Sequence, residues 1–359
     1  MLTAKVIGAG SIGNHLSHAL RSLGVQVTIV DVDKDALERT RNVIYPERYG
    51  SFDTSIKLAH PDDVGDTSFD LCVIGTPPDT HVEIASRELT LGHRALLIEK
   101  PLASPGLDIL RQFASLVQES ATRVFVAYNQ RLKHNTTAFL ELARKKDLGN
   151  LVSISGRMRE DWAGILKAHP WLSDATKSYL GHTSRGGGAL YEHSHAVDFA
   201  LFIAHELGQG RPTTVEARLD TVEHDTGTFD KEAALTITMA SGLTVTVVQD
   251  LFTWPADKSL DAVFSSGELR WEMHGDHDTV RMSSTGSDSV ITEFPKTRPD
   301  DFLPEIAHVI ELLTLEVDEV SPLDFSEALY TSWTLEAALA SHESGAPVVI
   351  QDLWGTVGL

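Results

Sequence analysis

Three acid–base residues follow a run of three glycines in the stretch GGGALYEHSHAVD, residues 186–198. Glu192, His195 and Asp198 recur at every third position, so a helix beginning near Gly188 would carry all three on one face. The ordinary pKa of histidine lies near neutrality, which makes His195 a candidate general base or acid. Asp198 is expected to hold His195 or a backbone group. The spacing therefore predicts an acid–base site on this helix.

Two alternative interpretations of the cluster stay open. A histidine in an apolar helix is often a hydrogen-bonded core residue, and Glu192, His193 and His195 could instead bind zinc. Their spacing lacks the thiol or paired-histidine pattern of common zinc sites, so we expect no metal. His193 receives no role.

A dinucleotide-binding fingerprint lies at the start of the chain. The segment VIGAGSIG has the G-x-G-x-x-G spacing after a predicted strand and before a predicted helix, which is the context that the motif requires. The glycines would form a tight turn, let backbone approach a pyrophosphate and let the helix pack closely, while the helix N-terminus would offer N–H groups to the phosphates. The predicted cofactor-binding turn comprises Gly8, Gly10, Ser11, Ile12 and Gly13.

An acidic residue ends the second predicted strand, where a dinucleotide site needs one. The Asp31 carboxylate can accept both ribose hydroxyls and would repel a 2′-phosphate. Val32, Asp33 and Lys34 follow it and supply no arginine platform for NADP. We therefore expect NAD as cofactor, with contacts from Asp31 and Val32, and NADP as the less favoured alternative. In the other interpretation, Asp31 is only a helix cap.

Three further segments end predicted strands on the side where ligands sit in such sheets. In GTPPDTH, residues 75–81, two prolines would fix the chain against the cofactor, and Asp79 or Thr80 would cap the next helix. This segment could also be an ordinary turn. The sequence EKP ends the fourth predicted strand and NQR the fifth, so Lys100 would face the same crevice. The additional cofactor contacts expected here are Thr76, Pro77, Pro78, His81, Glu99 and Lys100.

The elements that must position these residues change character along the chain. Up to about residue 130, five apolar runs alternate with helical stretches, which predicts a parallel sheet covered on both faces. After about residue 150, alternating runs and hairpin signals dominate, best seen in EAALTITMASGLTVTVVQDLF, before two C-terminal helices. The predicted fold class is α/β, with an N-terminal Rossmann doubly wound parallel sheet (1–127) and a C-terminal α+β domain with a mostly antiparallel open sheet (128–359). The second domain would serve substrate binding and oligomerisation.

Composition narrows the functional class. The chain has 359 residues and a formal net charge of −21, which argues against nucleic acid and an anionic membrane surface as partners. The single cysteine, Cys72, lies in an apolar run and is expected to be a small buried hydrophobe. No apolar stretch reaches the length of a membrane span, and the N-terminus begins as a strand rather than a signal peptide. We expect a cytoplasmic protein.

Taken in order, VIGAGSIG, Asp31, GTPPDTH, EKP, YNQR and GGGALYEHSHAVD resemble the Gfo/Idh/MocA family of oxidoreductases over nearly the whole chain. The resemblance implies that Lys100 is catalytic, that His195 is the usual general base or acid, and that Glu192 binds substrate or tunes the histidine. It also implies that Asn129 and Arg131 lie beside cofactor and substrate. Two departures are a glutamate where aspartate is more frequent and the shorter of two spacings to the histidine. The preceding segment AHPWLSDATKSYLGHTSRGGG is similar to members associated with sugar nucleotides and nonulosonic acids.

Other residues in the loop region could contact substrate. The aromatic residues there could stack on a sugar face or serve a core role, and its basic residues could bind an anionic group or simply be solvated. The aromatic-loop candidates are Trp162, His169 and Trp171, of which Trp162 is assigned to substrate binding with Lys100, Arg131, Glu192 and His195. The basic candidates are Arg157, Arg159, Lys167, Lys177 and Arg185.

The sequence thus predicts an NAD-dependent dehydrogenase that transfers a hydride between a nicotinamide cofactor and a hydroxyl or keto group of a sugar, cyclitol or sugar nucleotide. One alternative is an enzyme that retains its NAD and gives net glycoside cleavage or transfer between two sugars. Another is a non-catalytic sensor of NAD or sugar, which would not need both Lys100 and His195. Because one face of the antiparallel sheet must be covered, we expect a homodimer or homotetramer.

Overall fold

The computed structural model describes residues 1–145, 148–162, 164, 166, 172, 174–315 and 319–354. The candidates Lys167, His169 and Trp171 lie outside these residues. Among the described helices, none is both long enough and apolar enough to cross a membrane.

The chain folds into two compact units. The first comprises Met1–Ala103, Asp108–Asn129 and Pro299–Phe325, and the second comprises Ser104–Leu107, Gln130–Arg298 and Ser326–Leu359.

The first unit contains a six-stranded parallel sheet in the order β3-β2-β1-β4-β5-β6. The crossover from β3 to β4, which places β4 beside β1, reverses the direction of winding and confirms the predicted doubly wound Rossmann sheet. Its strands are β1 (Thr3–Ile7), β2 (Gln26–Val30), β3 (Lys57–Ala59), β4 (Leu71–Ile74), β5 (Ala95–Ile98) and β6 (Arg123–Val126).

A nine-stranded sheet forms the second unit, in the order β14-β13-β12-β11-β7-β10-β9-β8-β15. Neighbouring strands are antiparallel except β7 and β10, which confirms a mostly antiparallel sheet. The strands are β7 (Leu151–Arg159), β8 (Pro212–His224), β9 (Gly227–Met239), β10 (Thr244–Asp250), β11 (Asp257–Phe264), β12 (Gly267–Met273), β13 (His277–Ser284), β14 (Val290–Pro295) and β15 (Val348–Val349).

The helices follow in chain order. They are α1 (Ser11–Ser22), α2 (Lys34–Arg39), α3 (Tyr45–Tyr49), α4 (Pro61–Val64), α5 (Pro78–Leu89), α6 (Leu107–Glu119), α7 (His134–Ala143), α8 (Gly188–Glu192), α9 (His195–Glu206), α10 (Leu303–Leu315), α11 (Phe325–Ser344) and α12 (Ile350–Trp354). A π-helical turn, Thr40–Ile44, joins α2 to α3.

Packing of the helices explains how the units are divided. In the first unit α10 packs against α1, so Pro299–Phe325 belongs there although the predicted boundary places every residue after 127 in the second domain. In the second unit α9 packs on β7 and β10, and α8 packs on β9. Strand β9 therefore packs against the helix that follows the glycine-rich segment.

Candidate active site

The glycine turn after β1 is shaped by contacts that exclude side chains. Gly8 has φ +107°, and a Cβ there would lie 2.6 Å from the Gly75 carbonyl oxygen. A Cβ on Gly13 would lie 1.9 Å from the Gly8 carbonyl oxygen, because α1 packs tightly on the turn. Both positions therefore need glycine for the fold itself.

Gly10 differs, because a Cβ there would meet no atom within 4 Å. It is the N-cap of α1 and makes no side-chain cap, so the N–H groups of Ser11 and Ile12 begin the helix beside open space. This open cradle at a helix N-terminus fits the pyrophosphate of a dinucleotide. The second glycine of the fingerprint thus leaves room for a ligand rather than for protein.

Asp31 stands beside the same turn. Its carboxylate accepts hydrogen bonds from the Ala9 N–H at 2.7 Å and the Asp33 N–H at 2.8 Å, while Val32 is largely exposed. The N-cap of α2 is Asp33, whose side chain accepts the Asp35 N–H. The helix-cap interpretation of Asp31 is therefore wrong, and its carboxylate is fixed at the end of β2 beside the glycine turn.

The GTPP segment is tied down by a buried histidine. His81 Nε2 lies 2.8 Å from the Thr76 carbonyl oxygen, and Nδ1 lies 2.9 Å from that of Pro101. Complete burial lowers the pKa of His81, and a neutral ring donates one N–H at a time. His81 thus joins the loop after β4 to the residue that follows Lys100.

Pro77 is the N-cap of α5, and Pro78 is its first residue. The predicted cap by Asp79 or Thr80 is therefore wrong. The Thr80 hydroxyl instead bonds the Thr76 hydroxyl at 2.7 Å and the Pro77 carbonyl oxygen at 2.8 Å. These bonds fix Thr76, a predicted cofactor contact, at the carboxyl end of β4.

Lys100 and Asn129 follow β5 and β6. The Glu99 carboxylate is buried and accepts the Lys100 N–H at 3.1 Å, so it fixes the backbone at the lysine. The Asn129 side chain donates to the Asp301 carbonyl at 3.0 Å. The sheet of the first unit therefore carries Thr76, Lys100 and Asn129 after the carboxyl ends of three neighbouring strands, where ligands bind in doubly wound folds.

In the second unit, the run of three glycines is a close-packed turn. A Cβ on Gly187 would lie 2.1 Å from the Tyr179 carbonyl oxygen. Gly188 has φ +82°, and a Cβ there would lie 2.1 Å from Asp230 Oδ1. The glycines are therefore required by neighbouring backbone and by a buried carboxylate.

Asp230, on β9, fastens this turn and was missed by sequence reasoning. It is fully buried, and its carboxylate accepts the Leu190 N–H at 2.6 Å and the Thr183 hydroxyl at 3.4 Å. Burial raises its pKa to about 7 against the opposing effect of these bonds. No local signal marks it, because the pairing of α8 with β9 is a tertiary contact.

The predicted single helix carrying three acid–base residues on one face is wrong. Helix α8 ends at Glu192, and α9 begins at His195 after a turn at His193 and Ser194. The Ser194 N–H bonds Tyr191 O, three residues back, instead of continuing the i−4 pattern, and Ser194 O then accepts the Asp198 N–H of the new helix. Glu192 and His195 therefore lie at adjoining helix ends, separated by this tight turn.

Glu192 is held by a residue that the sequence analysis did not assign. The Tyr179 hydroxyl donates to Glu192 Oε2 at 3.0 Å, and both Glu192 and His195 are half-buried. Tyr179 lies in the segment AHPWLSDATKSY that carried the sub-family resemblance, which was the available signal. A tyrosine-held carboxylate and a partly accessible imidazole at the start of a helix are groups that can bind a hydroxyl and move its proton.

Asp198 does not have the expected role. Among the described residues its carboxylate bonds Arg131 Nε at 2.9 Å and the Thr331 hydroxyl at 2.8 Å. Arg131 and Asp198 are both buried. The expectation that Asp198 holds His195 or a backbone group is therefore wrong, because the buried guanidinium needs a carboxylate partner. Arg131 remains a predicted substrate contact.

Three of the remaining candidates, Trp162, Arg157 and Arg159, have structural partners. Trp162 packs on Phe229, with ring centroids 4.7 Å apart, and its backbone N–H donates to the Leu251 carbonyl oxygen. Arg157 pairs with Asp261, and Arg159 with Asp250 at 2.7 Å.

The zinc alternative is not supported. In the part of the chain that the structure describes, one group of three potential ligands gathers within 4.8 Å, namely Cys72, Glu88 and His93, and it excludes Glu192. There the buried Lys5 ammonium already pairs with Glu88, so a cation is present. Cys72 is buried in β4, with Sγ 3.6 Å from the Glu88 carboxylate.

Comparison with known proteins agrees with the fold and the glycine turn. Residues 2–128 match the oxidoreductase family with an NAD-binding Rossmann fold, and residues 137–281 match the GFO/IDH/MocA C-terminal domain. The chain belongs to the Gfo/Idh/MocA family of NAD-binding oxidoreductases. No curated protein matches its sequence.

Solved structures share the fold at low identity. An oxidoreductase from Agrobacterium radiobacter in complex with NAD+, L-tartaric acid and magnesium is 18% identical, with TM-score 0.76 over 98% of this chain and 99% of that one. Levoglucosan dehydrogenase in complex with NADH and L-sorbose is 18% identical, with TM-score 0.77 and coverages of 97% and 98%. An aldose–aldose oxidoreductase from Caulobacter crescentus complexed with glycerol is 16% identical, with TM-score 0.75 and coverages of 97% and 99%.

Proposed function

We propose that this protein is an NAD-dependent dehydrogenase that acts on a hydroxyl group of a sugar, cyclitol or sugar nucleotide. The single observation that carries the proposal is the segment 186–195, where a close-packed glycine turn presents Glu192, held by Tyr179, next to His195. A binding protein has no need to hold a carboxylate and an imidazole in this way. Family membership supplies the redox class.

His195 acts as the general base in this proposal. Its imidazole takes the proton of the substrate hydroxyl, and a positioned acid–base group of this kind contributes about 10² to 10⁴ in rate. Glu192 accepts a hydrogen bond from a second substrate hydroxyl or orients the imidazole, with Tyr179 fixing its carboxylate. Lys100 stabilises the negative charge that develops on the substrate oxygen. A nicotinamide cofactor, when bound, would supply the hydride acceptor for this oxidation.

NAD is the proposed cofactor, in preference to NADP. The Asp31 carboxylate, fixed by the N–H groups of Ala9 and Asp33, would accept the ribose hydroxyls and repel a 2′-phosphate. Thr76, Pro77, Pro78, Glu99 and Asn129 are the further contacts that we propose at this end of the sheet. His81 contributes by holding two of the loops together.

The test follows NADH absorbance with purified protein, NAD and a panel of cyclitols, free sugars, uronic acids and sugar nucleotides. We expect turnover with one class of substrate, and its loss by at least about a hundredfold in Lys100→Ala and in His195→Ala. Lys34→Ala and His205→Ala are matched controls, because the first lies on an exposed helix start and the second at the far end of α9.

Three results would contradict the proposal. Full turnover in both Lys100→Ala and His195→Ala would end the mechanism. If no substrate of the panel gave NADH and NAD(H) were recovered from the denatured protein, the result would favour retained-cofactor chemistry between two sugars or net glycoside cleavage. If no substrate gave NADH and NAD exchanged freely, the result would favour a sensor.

We also propose a cytoplasmic homodimer or homotetramer. One face of the large sheet is packed by α7, α8 and α9, while the side chains that alternate with that face include the charged Arg157, Asp261 and Arg270. A second subunit would cover this alternate face. Sedimentation at the mass of one chain would refute the oligomer.

A further inference from the structure

An arginine on the segment after β2 reaches the glycine turn of the cofactor site. The segment runs through α2, the π-helical turn and α3, and it is fastened to the turn at Thr40, whose hydroxyl donates to Ala9 O at 3.3 Å. The Asn14 side chain donates to Ala9 O at 3.0 Å, to Gly10 O at 2.7 Å and to the Thr40 hydroxyl at 3.2 Å. The segment is therefore held against the start of α1.

Arg48 lies at the end of this segment. Its Nη1 donates to Ser11 O at 3.0 Å, and its Nη2 donates to the Ser11 hydroxyl at 2.8 Å. Ser11 is the first residue of α1 and directly follows Gly10, the glycine with open space above it. The structure thus places a guanidinium at the first turn of the helix that cradles a pyrophosphate in this fold.

The end of the segment is fixed by Tyr49, the helical neighbour of Arg48. The Tyr49 ring stacks on His18, with centroids 3.8 Å apart and planes 4° from parallel, and its hydroxyl lies 2.7 Å from His15 Nδ1. Both histidines lie on α1. Arg48 itself is half-buried, so it is anchored on one side and remains partly accessible.

The positive charge of Arg48 would balance the negative charge of the cofactor phosphates. The chain carries a formal net charge of −21, yet its cofactor brings two negatively charged phosphates. Backbone N–H groups and the helix dipole offer only about half a positive charge. A guanidinium adds a full charge that persists at every physiological pH and pairs well with phosphate oxygens.

We propose that Arg48 is a cofactor-binding residue that neutralises the pyrophosphate of the dinucleotide while it holds Ser11 at the first turn of α1. The inference rests on dinucleotide binding by the first unit and does not depend on the substrate proposed above. The same phosphate chemistry has a second source, the 2′-phosphate of NADP, and the choice of ligands separates the two.

The experiment measures the dissociation constants of NAD, NADP and ADP-ribose by isothermal titration calorimetry, and of adenosine by ligand-observed NMR. Arg48→Ala should weaken NAD and ADP-ribose equally, by about tenfold at low salt and less at high salt, because a partly exposed charge pair is screened. Adenosine binding should change less than twofold. Arg41→Ala is the matched control, since it removes an exposed arginine from the same segment.

Arg48→Gln guards against simple loss of folding, because glutamine keeps a donor for Ser11 but lacks the charge. It should retain the wild-type melting temperature and still lose about tenfold in NAD affinity, and Arg48→Lys should recover most of that loss. Equal NAD affinity in wild type and Arg48→Gln would overturn the proposal. So would an equal loss of affinity for adenosine, which would mean a structural role, or a loss of affinity confined to NADP.

A wild-type protein that binds neither NAD nor NADP would overturn dinucleotide binding and this proposal together, whereas NAD binding without turnover would count against the proposed function alone.

Discussion

Replacing Asp230 by asparagine should remove a pH dependence from the stability of the protein. Asp230 is fully buried under the glycine turn, and burial raises its pKa to about 7 from the ordinary value of 3.8. The folded state therefore holds a proton that the unfolded state releases between about pH 4 and pH 7. Stability from this group is fully present below the unfolded pKa and is lost as the pH rises through 7.

The magnitude follows from the shift. Each pH unit in this window changes the free energy of unfolding by about 1.4 kcal/mol for one proton, so wild type should lose about 3 kcal/mol between pH 5 and pH 8 through Asp230. Histidines whose pKa is lowered by burial, such as His81 and His308, act in the opposite direction. They are common to both proteins, so the difference between wild type and Asp230→Asn isolates the carboxyl group.

Urea unfolding at several pH values measures the effect. Relative to wild type, Asp230→Asn should gain about 3 kcal/mol on going from pH 5 to pH 8, and Asp225→Asn, at an exposed turn beside the same strand, should track wild type. Parallel curves for wild type and Asp230→Asn over that range would refute the reasoning, because Asp230 would then titrate alike in both states.

Further predictions concern candidate residues of each unit. Tyr179→Phe should lower kcat/KM about tenfold through loss of its bond to Glu192, with the dissociation constant of NAD within twofold of wild type. Unchanged kcat/KM would place Glu192 outside the chemistry. Gly242→Ala should lower the free energy of unfolding by about 1 kcal/mol, because Gly242 has a positive φ but open space around it. Gly188→Ala should lower it further, because Gly188 also has a positive φ and its new Cβ would clash with the Asp230 carboxylate. Equal losses by urea unfolding would exclude the clash. Asp31→Ala should reduce the ratio of NAD to NADP affinity at least tenfold by calorimetry, and an unchanged ratio would exclude Asp31 as the discriminating residue.

The Rossmann sheet could be predicted because its signals are local. Strand β4, with every residue buried, reads as a continuous apolar run, and the glycine turn follows β1 directly. Strand β3 was missed because it has only three residues and lies in a polar stretch. Strand β14 was missed because its residues are largely exposed and show no alternation. Both are recognised only by the strands that they pair with.

The candidate site divides in the same way. Gly8, Gly10, Gly13 and Asp31 follow from spacing within one βαβ unit. The partners of the acid–base residues do not, because Arg131 reaches Asp198 across 67 positions of sequence. The three-residue spacing of Glu192, His195 and Asp198 predicts one continuous helical face. Spacing alone cannot predict the turn at Ser194 that interrupts the helix.

Tyr179 and Asp230 explain why the turn before Glu192 needs glycine at 187 and 188. Tyr179 contributes twice: its carbonyl oxygen lies 2.1 Å from the place where a Cβ of Gly187 would stand, and its hydroxyl donates to Glu192. Any side chain at 187 would displace the Tyr179 backbone and with it the hydroxyl that fixes the carboxylate. Asp230 closes the other side of the turn by occupying the Cβ position of Gly188 and accepting the Leu190 N–H. The conformational entropy lost by ordering consecutive glycines is thus offset by contacts that no other residue permits, and those contacts fix the start of the short helix on which Glu192 is carried.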